Sequence, residues 1–152
     1  MLYSQHQSIP AGEVGVGAGT YNEKPFSESG AEASAISDQQ KKFLKEDDLR
    51  HVLLTAVKSP EVAAKWNNNV QAYVEGLGGG IPANNSSDPR NTATVTSEFN
   101  AGAGVTISLW PDGLAMGATF DPKLVKQFGE MAAKEYRALG ITTALSPQID
   151  LG

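Results

Sequence analysis

The strongest constraint on how this chain can fold is a cadence that occurs twice: a capped helix, a glycine stop, and a short extended run. Ser59-Pro60-Glu61 has the form of a helix start. The Ser side chain can accept from a first-turn amide, proline suits the first helical position, and Glu lies near the positive end of the helix dipole. Val62, Trp66, Val70, Tyr73, Val74 and Leu77 then trace one apolar face, and Gly76 and Gly78 to Gly80 end it. Asp121-Pro122 repeats the signature, with Leu124, Val125, Phe128, Met131, Ala132, Tyr136 and Leu139 on one face and Gly140 as the stop. Ile141 to Leu145 reads as the following strand, broken by Ser146-Pro147. Helix, glycine and strand in close order make half a βαβ unit, and two such halves predict an α/β fold with a parallel sheet. In such folds the carboxyl ends of the strands carry function.

The stretch Gly80 to Asn91, GIPANNSSDPRN, lies where the first of these strands should end. Proline at 89 crowds the helical region of the residue before it, so Asp88 is biased toward an extended conformation. That predicts a carboxylate at the carboxyl end of a strand, with Arg90 close behind. An acid before proline also starts ordinary turns, so the residue type alone leaves both roles open. Ala83, Asn84 and Asn85 stand where bulkier β-formers are expected.

Elsewhere the signals are weaker. Residues 1–36 are rich in Gly, Ser, Ala and Glu and predict a flexible or irregular leader. Within them, GVGAGT at Gly15 to Thr20 resembles a phosphate-binding loop only superficially, because no strand run leads into it and no helix pattern follows. Between Ser37 and Val57, Asp47 or Asp48 is the expected N-cap of a short helix through Val57, with His51 inside it. Asn67, Asn68 and Asn69 predict an exposed helix face, the alternative being an Asn turned toward a ligand. Thr92 to Gly104 reads as a loop, and Val105 to Trp110, VTISLW, as a short strand or extended segment. Pro111-Asp112-Gly113 makes a turn. Gly113 to Phe120 is apolar and glycine-spaced, without a clear period.

Composition narrows the function classes. A chain of 152 residues suits one ordinary domain, and a net charge of -5 gives no basic surface for nucleic acid or an anionic membrane. The absence of cysteine removes disulfides, thiolate nucleophiles and Cys-rich zinc sites. Neither a basic n-region with an apolar h-region nor a run of membrane-spanning length is expected from MLYSQHQSIPAGEV onward. No cofactor and no metal site are expected either.

Three blocks carry a likeness to a known family: SPEVAAKWNNNVQAYVEGLGGGIPANNSSDPRN, then SLWPDGLAMGATFDPKLVKQFGEMAAKEYRALGI, then TTALSPQID. The chain resembles the N-terminal part of a glycoside hydrolase family 3 enzyme, and the likeness is legible from about Phe43 onward. The resemblance implies the first few βα units of an incomplete TIM-type (β/α)8 barrel, occupying residues 37–152 behind the leader. It implies retaining, exo-acting hydrolysis of β-linked glucosides or oligosaccharides by two carboxyl groups about 5 Å apart. By position in the motif, Asp88 would grip hydroxyls of the nonreducing terminal sugar, with Arg90 and Trp110 as weaker companions; an aromatic before a Pro-Asp-Gly turn is more often a packing anchor. The family's nucleophile and acid/base fall beyond residue 152, so the chain alone is expected to be inactive. Asp112 and Asp121 are explained as turn and cap residues, Asp150 matches a structural acid, and Glu98 has no assigned job. The parent protein's compartment, periplasmic or secreted, stays open. The rival reading is a non-catalytic carbohydrate-binding or self-associating module, associating through the edges of an open barrel.

Overall fold

A computed structural model of the chain describes residues 4–5, 19–54, 59–87 and 107–145. Its elements, in chain order, are β1 (Ser4–Gln5), β2 (Thr20–Tyr21), β3 (Lys24–Pro25), a 3-10 turn (Phe26–Glu28), α1 (Asp38–Glu46), β4 (His51–Leu53), α2 (Pro60–Gly76), β5 (Asn84–Ser87), α3 (Gly113–Ala118), α4 (Pro122–Ala138) and β6 (Thr143–Ala144). The chain is α/β: β1, β4, β5 and β6 form one sheet in that spatial order, every neighbouring pair parallel, and β2 with β3 forms a small antiparallel hairpin.

Both capped helices form as their sequences predict. The Ser59 side chain accepts from Val62 N–H, with proline opening α2. Asp121 accepts from the N–H groups of Lys123 and Leu124, with proline opening α4. Ala63, Trp66, Val70 and Val74 of α2 are buried, and Tyr136 and Leu139 at the end of α4 join them in one core with Val52, Leu54 and Ile141. Gly140 stops α4 in the left-handed region at φ 85. A side chain there would collide with Asn67, since an added Cβ would lie 2.6 Å from its Cβ and Cγ.

The helix expected from Asp47 or Asp48 to Val57 is absent over its described part, residues 47–54. The helix of this region is α1, begun ten or eleven residues earlier by a capping box in which Ser37 accepts from Gln40 N–H and Gln40 Oε1 accepts from Ser37 N–H. Asp47 closes α1, Asp48 turns the chain at φ 49, and His51 begins β4. Val52 and Leu54 are 3% and 0% exposed, so this aliphatic run is a buried parallel strand, which periodicity alone does not separate from a helix segment. Arg50 fixes the junction: its guanidinium donates to the carbonyls of Leu44, Leu49 and Ile81, tying the end of α1 to the segment that enters β5.

Ahead of α1, the β2–β3 hairpin turns through Asn22 and Glu23 at φ 52 and 67. Asp38 holds this turn, accepting from Thr20 Oγ1 at 2.7 Å and from the N–H groups of Asn22 and Glu23. Those bonds, led by the one from Glu23, keep its carboxyl below the ordinary value. Phe26, Ser34 and Ile36 are buried, so residues 19–36 carry packed structure.

Candidate functional site

A parallel ladder brings like ends of its strands to one edge. Here Leu53 pairs with Ser86 and Ser87 with Ala144. Leu54 N–H donates to Ser86 O and Leu145 N–H to Ser87 O, so the carboxyl ends of β4, β5 and β6 share a level. The two runs expected to lie side by side in the same sense, ending near 87 and 145, do so.

The central strand β5 is unusual in composition. Buried parallel strands are ordinarily aliphatic, yet β5 reads NNSS, and Asn85, Ser86 and Ser87 are 1%, 5% and 0% exposed. Burial of a polar group is tolerated when the group is bonded. Ser86 Oγ donates to Val52 O and Ser87 Oγ to Leu54 O, across to β4. Asn85 Nδ2 donates to Asn67 Oδ1 at 2.6 Å and to Gly140 O, reaching α2 and the end of α4. On the opposite face, Asn84 Oδ1 accepts from Thr142 and Thr143, and its Nδ2 lies 3.3 Å from His51 Nδ1. Asn85 and Asn84 therefore point to opposite faces of the sheet, as the two-residue period of a strand requires.

The asparagine triplet divides accordingly. Asn67 takes the bond from Asn85, Asn69 donates to Ser34 O, and Asn68 is exposed. Two of the three are structural ties, which the expectation of a plain exposed face missed.

Of the predicted site residues, Asp88 and Arg90 lie outside the described residues, as do Glu98 and Asp150. Trp110 is half-buried: its ring meets Phe128 of α4 edge-on at 5.4 Å, and its Nε1 donates to Ser108 Oγ at 3.0 Å. Ser108 is in turn held by Glu135, which accepts from its N–H at 2.8 Å and from its hydroxyl at 2.6 Å. Of the expected short strand or extended segment from Val105 to Trp110, residues 105 and 106 lie outside the described residues, and Ile107 to Leu109 are not in a strand. The Ser108 amide is committed to a carboxylate on α4, and Trp110 alone makes a single bridge. Beyond the turn, Asp112 caps α3 by accepting from Ala115 N–H, giving helical order to the glycine-spaced segment.

Among the described residues no group of three or more His, Cys, Asp or Glu side chains is placed to hold a metal ion. None of their helices is long and apolar enough to cross a membrane.

Comparison with known proteins adds the following. The family model described as the glycosyl hydrolase family 3 N terminal domain matches residues 16–152, beginning well upstream of Phe43. A protein of Emericella nidulans named beta-glucosidase C is 33% identical over 137 residues, covering 88% of this chain and 22% of that protein. A periplasmic beta-glucosidase/beta-xylosidase of Dickeya chrysanthemi is 41% identical over 98 residues, covering 61% of this chain and 14% of that protein. No solved structure gives a significant match. The chain thus spans 14% and 22% of the length of these two relatives, and with the family model matched across most of its residues it belongs to the glycosyl hydrolase family 3 N-terminal domains.

Proposed function

We propose that this chain forms the first βα units of a TIM-type barrel and supplies the sugar-gripping part of a retaining, exo-acting β-glycosidase. The observation that carries the reading is the parallel sheet in chain order, β1-β4-β5-β6, with β5 ending at Ser87 immediately before Asp88 in sequence. Sequential parallel neighbours joined by helices are the pattern by which a barrel is wound, whereas doubly wound sheets reverse their order. Asp88 accepts charge-assisted hydrogen bonds from two vicinal hydroxyls of the nonreducing terminal sugar and so orients its ring for attack. Arg90 and Trp110 assist. The carboxyl pair that cleaves the bond belongs to sequence outside these residues, because a barrel of this type takes about 250 residues. Names of the relatives favour a β-linked glucoside as the substrate.

Two measurements test this. The pure 152-residue chain should not turn over an aryl β-glucoside, and measurable turnover would contradict the assignment of the catalytic pair. In NMR titrations, methyl β-D-glucoside should perturb amides near Asp88, and Asp88→Ala should abolish the effect; an unchanged titration in the variant removes Asp88 from the site.

A second reading, self-association, is favoured by exposed apolar side chains. Leu114 and Phe120 are 85% and 92% exposed, and β6 has one strand neighbour among the described residues. Apolar surface and an unpaired strand edge both promote contact between copies. Concentration-independent monomeric behaviour on size exclusion would remove it.

A further inference from the structure

We infer, independently of the sugar-binding reading above, that Asn85 is an N-glycan acceptor whose modification the fold cannot accommodate. Glycosylation and folding of this chain then exclude one another, and the chain matures where no oligosaccharyl transferase meets it unfolded. Asn-X-Ser with X other than proline is the acceptor triplet for N-linked glycans and ordinarily marks a surface loop. Here two such triplets overlap, Asn84-Asn85-Ser86 and Asn85-Ser86-Ser87, and their residues make up β5. That strand has neighbours on both sides, and Asn85 is 1% exposed.

Transfer of the glycan acts on the very atom that the fold has committed. Asn85 Nδ2 attacks the anomeric carbon of an oligosaccharide carried on a lipid pyrophosphate. The N–C bond forms, the bond from that carbon to the pyrophosphate oxygen breaks, and Nδ2 gives up one proton as the lipid pyrophosphate leaves. The product nitrogen keeps a single N–H. In the fold Nδ2 uses two, one to Asn67 Oδ1 at 2.6 Å and one to Gly140 O at 3.2 Å. One bond is therefore lost, and the sugar carbon takes its direction at a bond length of about 1.45 Å. That carbon would stand less than about 2 Å from the oxygen it faces, far inside van der Waals contact.

The surroundings have no room to give. Even a Cβ added at Gly140 would lie 2.6 Å from Asn67 Cβ and Cγ, and Asn67 is held by Gln71 as well. Asn84 supplies the contrast. It is half-buried on the opposite face, and the hydroxyls of Thr142 and Thr143 donate to its Oδ1, which a glycan leaves untouched. Asn85 is thus the deciding position. Burial in the finished fold does not protect it, because the glycan is added to a chain that has not yet folded.

The test translates the full chain behind a cleavable signal peptide in the presence of microsomes, so that glycan-bearing and bare forms separate on a gel and endoglycosidase treatment identifies them. Ser86→Ala leaves Asn85 as the acceptor, and Ser87→Ala leaves Asn84. In each lane the bare form is the folding control for the same sequence. Trypsin should clear the Asn85-glycosylated form roughly tenfold faster or more than its bare form, because proteolysis tracks the unfolded population. Equal rates overturn the exclusion, and failure of Ser86→Ala to take a glycan overturns the assignment of Asn85 as an acceptor. Mass spectrometry of the folded protein from its native source should find the peptide spanning residues 84–87 without a glycan; a glycan on Asn85 there overturns the inference outright.

Discussion

Gly140→Ala puts the junction of α4 with the sheet to a direct test. Two costs add at this position. Its φ of 85 lies in the left-handed region, where a Cβ costs about 1–2 kcal/mol. The new methyl would also lie 2.6 Å from Asn67 Cβ and Cγ, contacts that force a shift. Asn67 cannot yield freely, since its Oδ1 accepts from Asn85 and Gln71. Overpacking of a well-filled interior costs about 1–3 kcal/mol. The sum is a loss of about 2–5 kcal/mol, a large fraction of the stability of an ordinary domain. Gly30→Ala separates the two costs, because Gly30 has φ 70 but no atom within 4 Å of an added Cβ. Urea unfolding followed by circular dichroism, with the slope checked between variants, should place Gly140→Ala about 1–3 kcal/mol below Gly30→Ala. Asn67→Gly removes the atoms in the way, and in that background the Gly140→Ala penalty should fall to its backbone part. Equal penalties at the two glycines, or an undiminished penalty beside Asn67→Gly, would refute the packing argument.

The hairpin supplies two further expectations. Glu23 occupies the second left-handed position of a two-residue turn, where glycine is favoured, so Glu23→Gly should stabilise the chain by about 0.5–1 kcal/mol in the same urea assay; a loss of stability would mean that the turn is not strained there. Because Asp38 is held below its ordinary value of 3.8, its contribution is fully present above that value and disappears as pH falls through the lowered one. Acid unfolding of Asp38→Asn should therefore show a flatter dependence than the parent below about pH 4, and parallel curves would show that the carboxylate contributes nothing through this linkage.

Much of the architecture was written locally. Ser59, Asp121, Pro60, Pro122 and Gly140 act within a few residues of themselves, and α2 and α4 formed where those signals put them. The family likeness also rested on contiguous blocks, and the family model matched them. The candidate site was less legible: Asp88 and Arg90 lie outside the described residues, and the Glu135 grip on Ser108 joins positions 27 apart in sequence. The capping box at Ser37 and Gln40 was a readable signal, and it explains why the helix began before Asp47.

By itself, then, the sequence determined the two capped helices, their glycine stops and the family, since each depends on neighbours along the chain. Only the tertiary structure decided that HVL in β4 is a strand and that NNSS is a buried central one. An aliphatic run is compatible with either element until a sheet exists to receive it. Burial of this polar strand draws on distant partners: Asn85 Nδ2 donates to Asn67 Oδ1 and Gly140 O, Ser86 Oγ to Val52 O and Ser87 Oγ to Leu54 O, while the buried Asn85 Oδ1 accepts no bond among the described residues. Those partners lie 18 to 55 residues away, and folding alone brings them within hydrogen-bond reach.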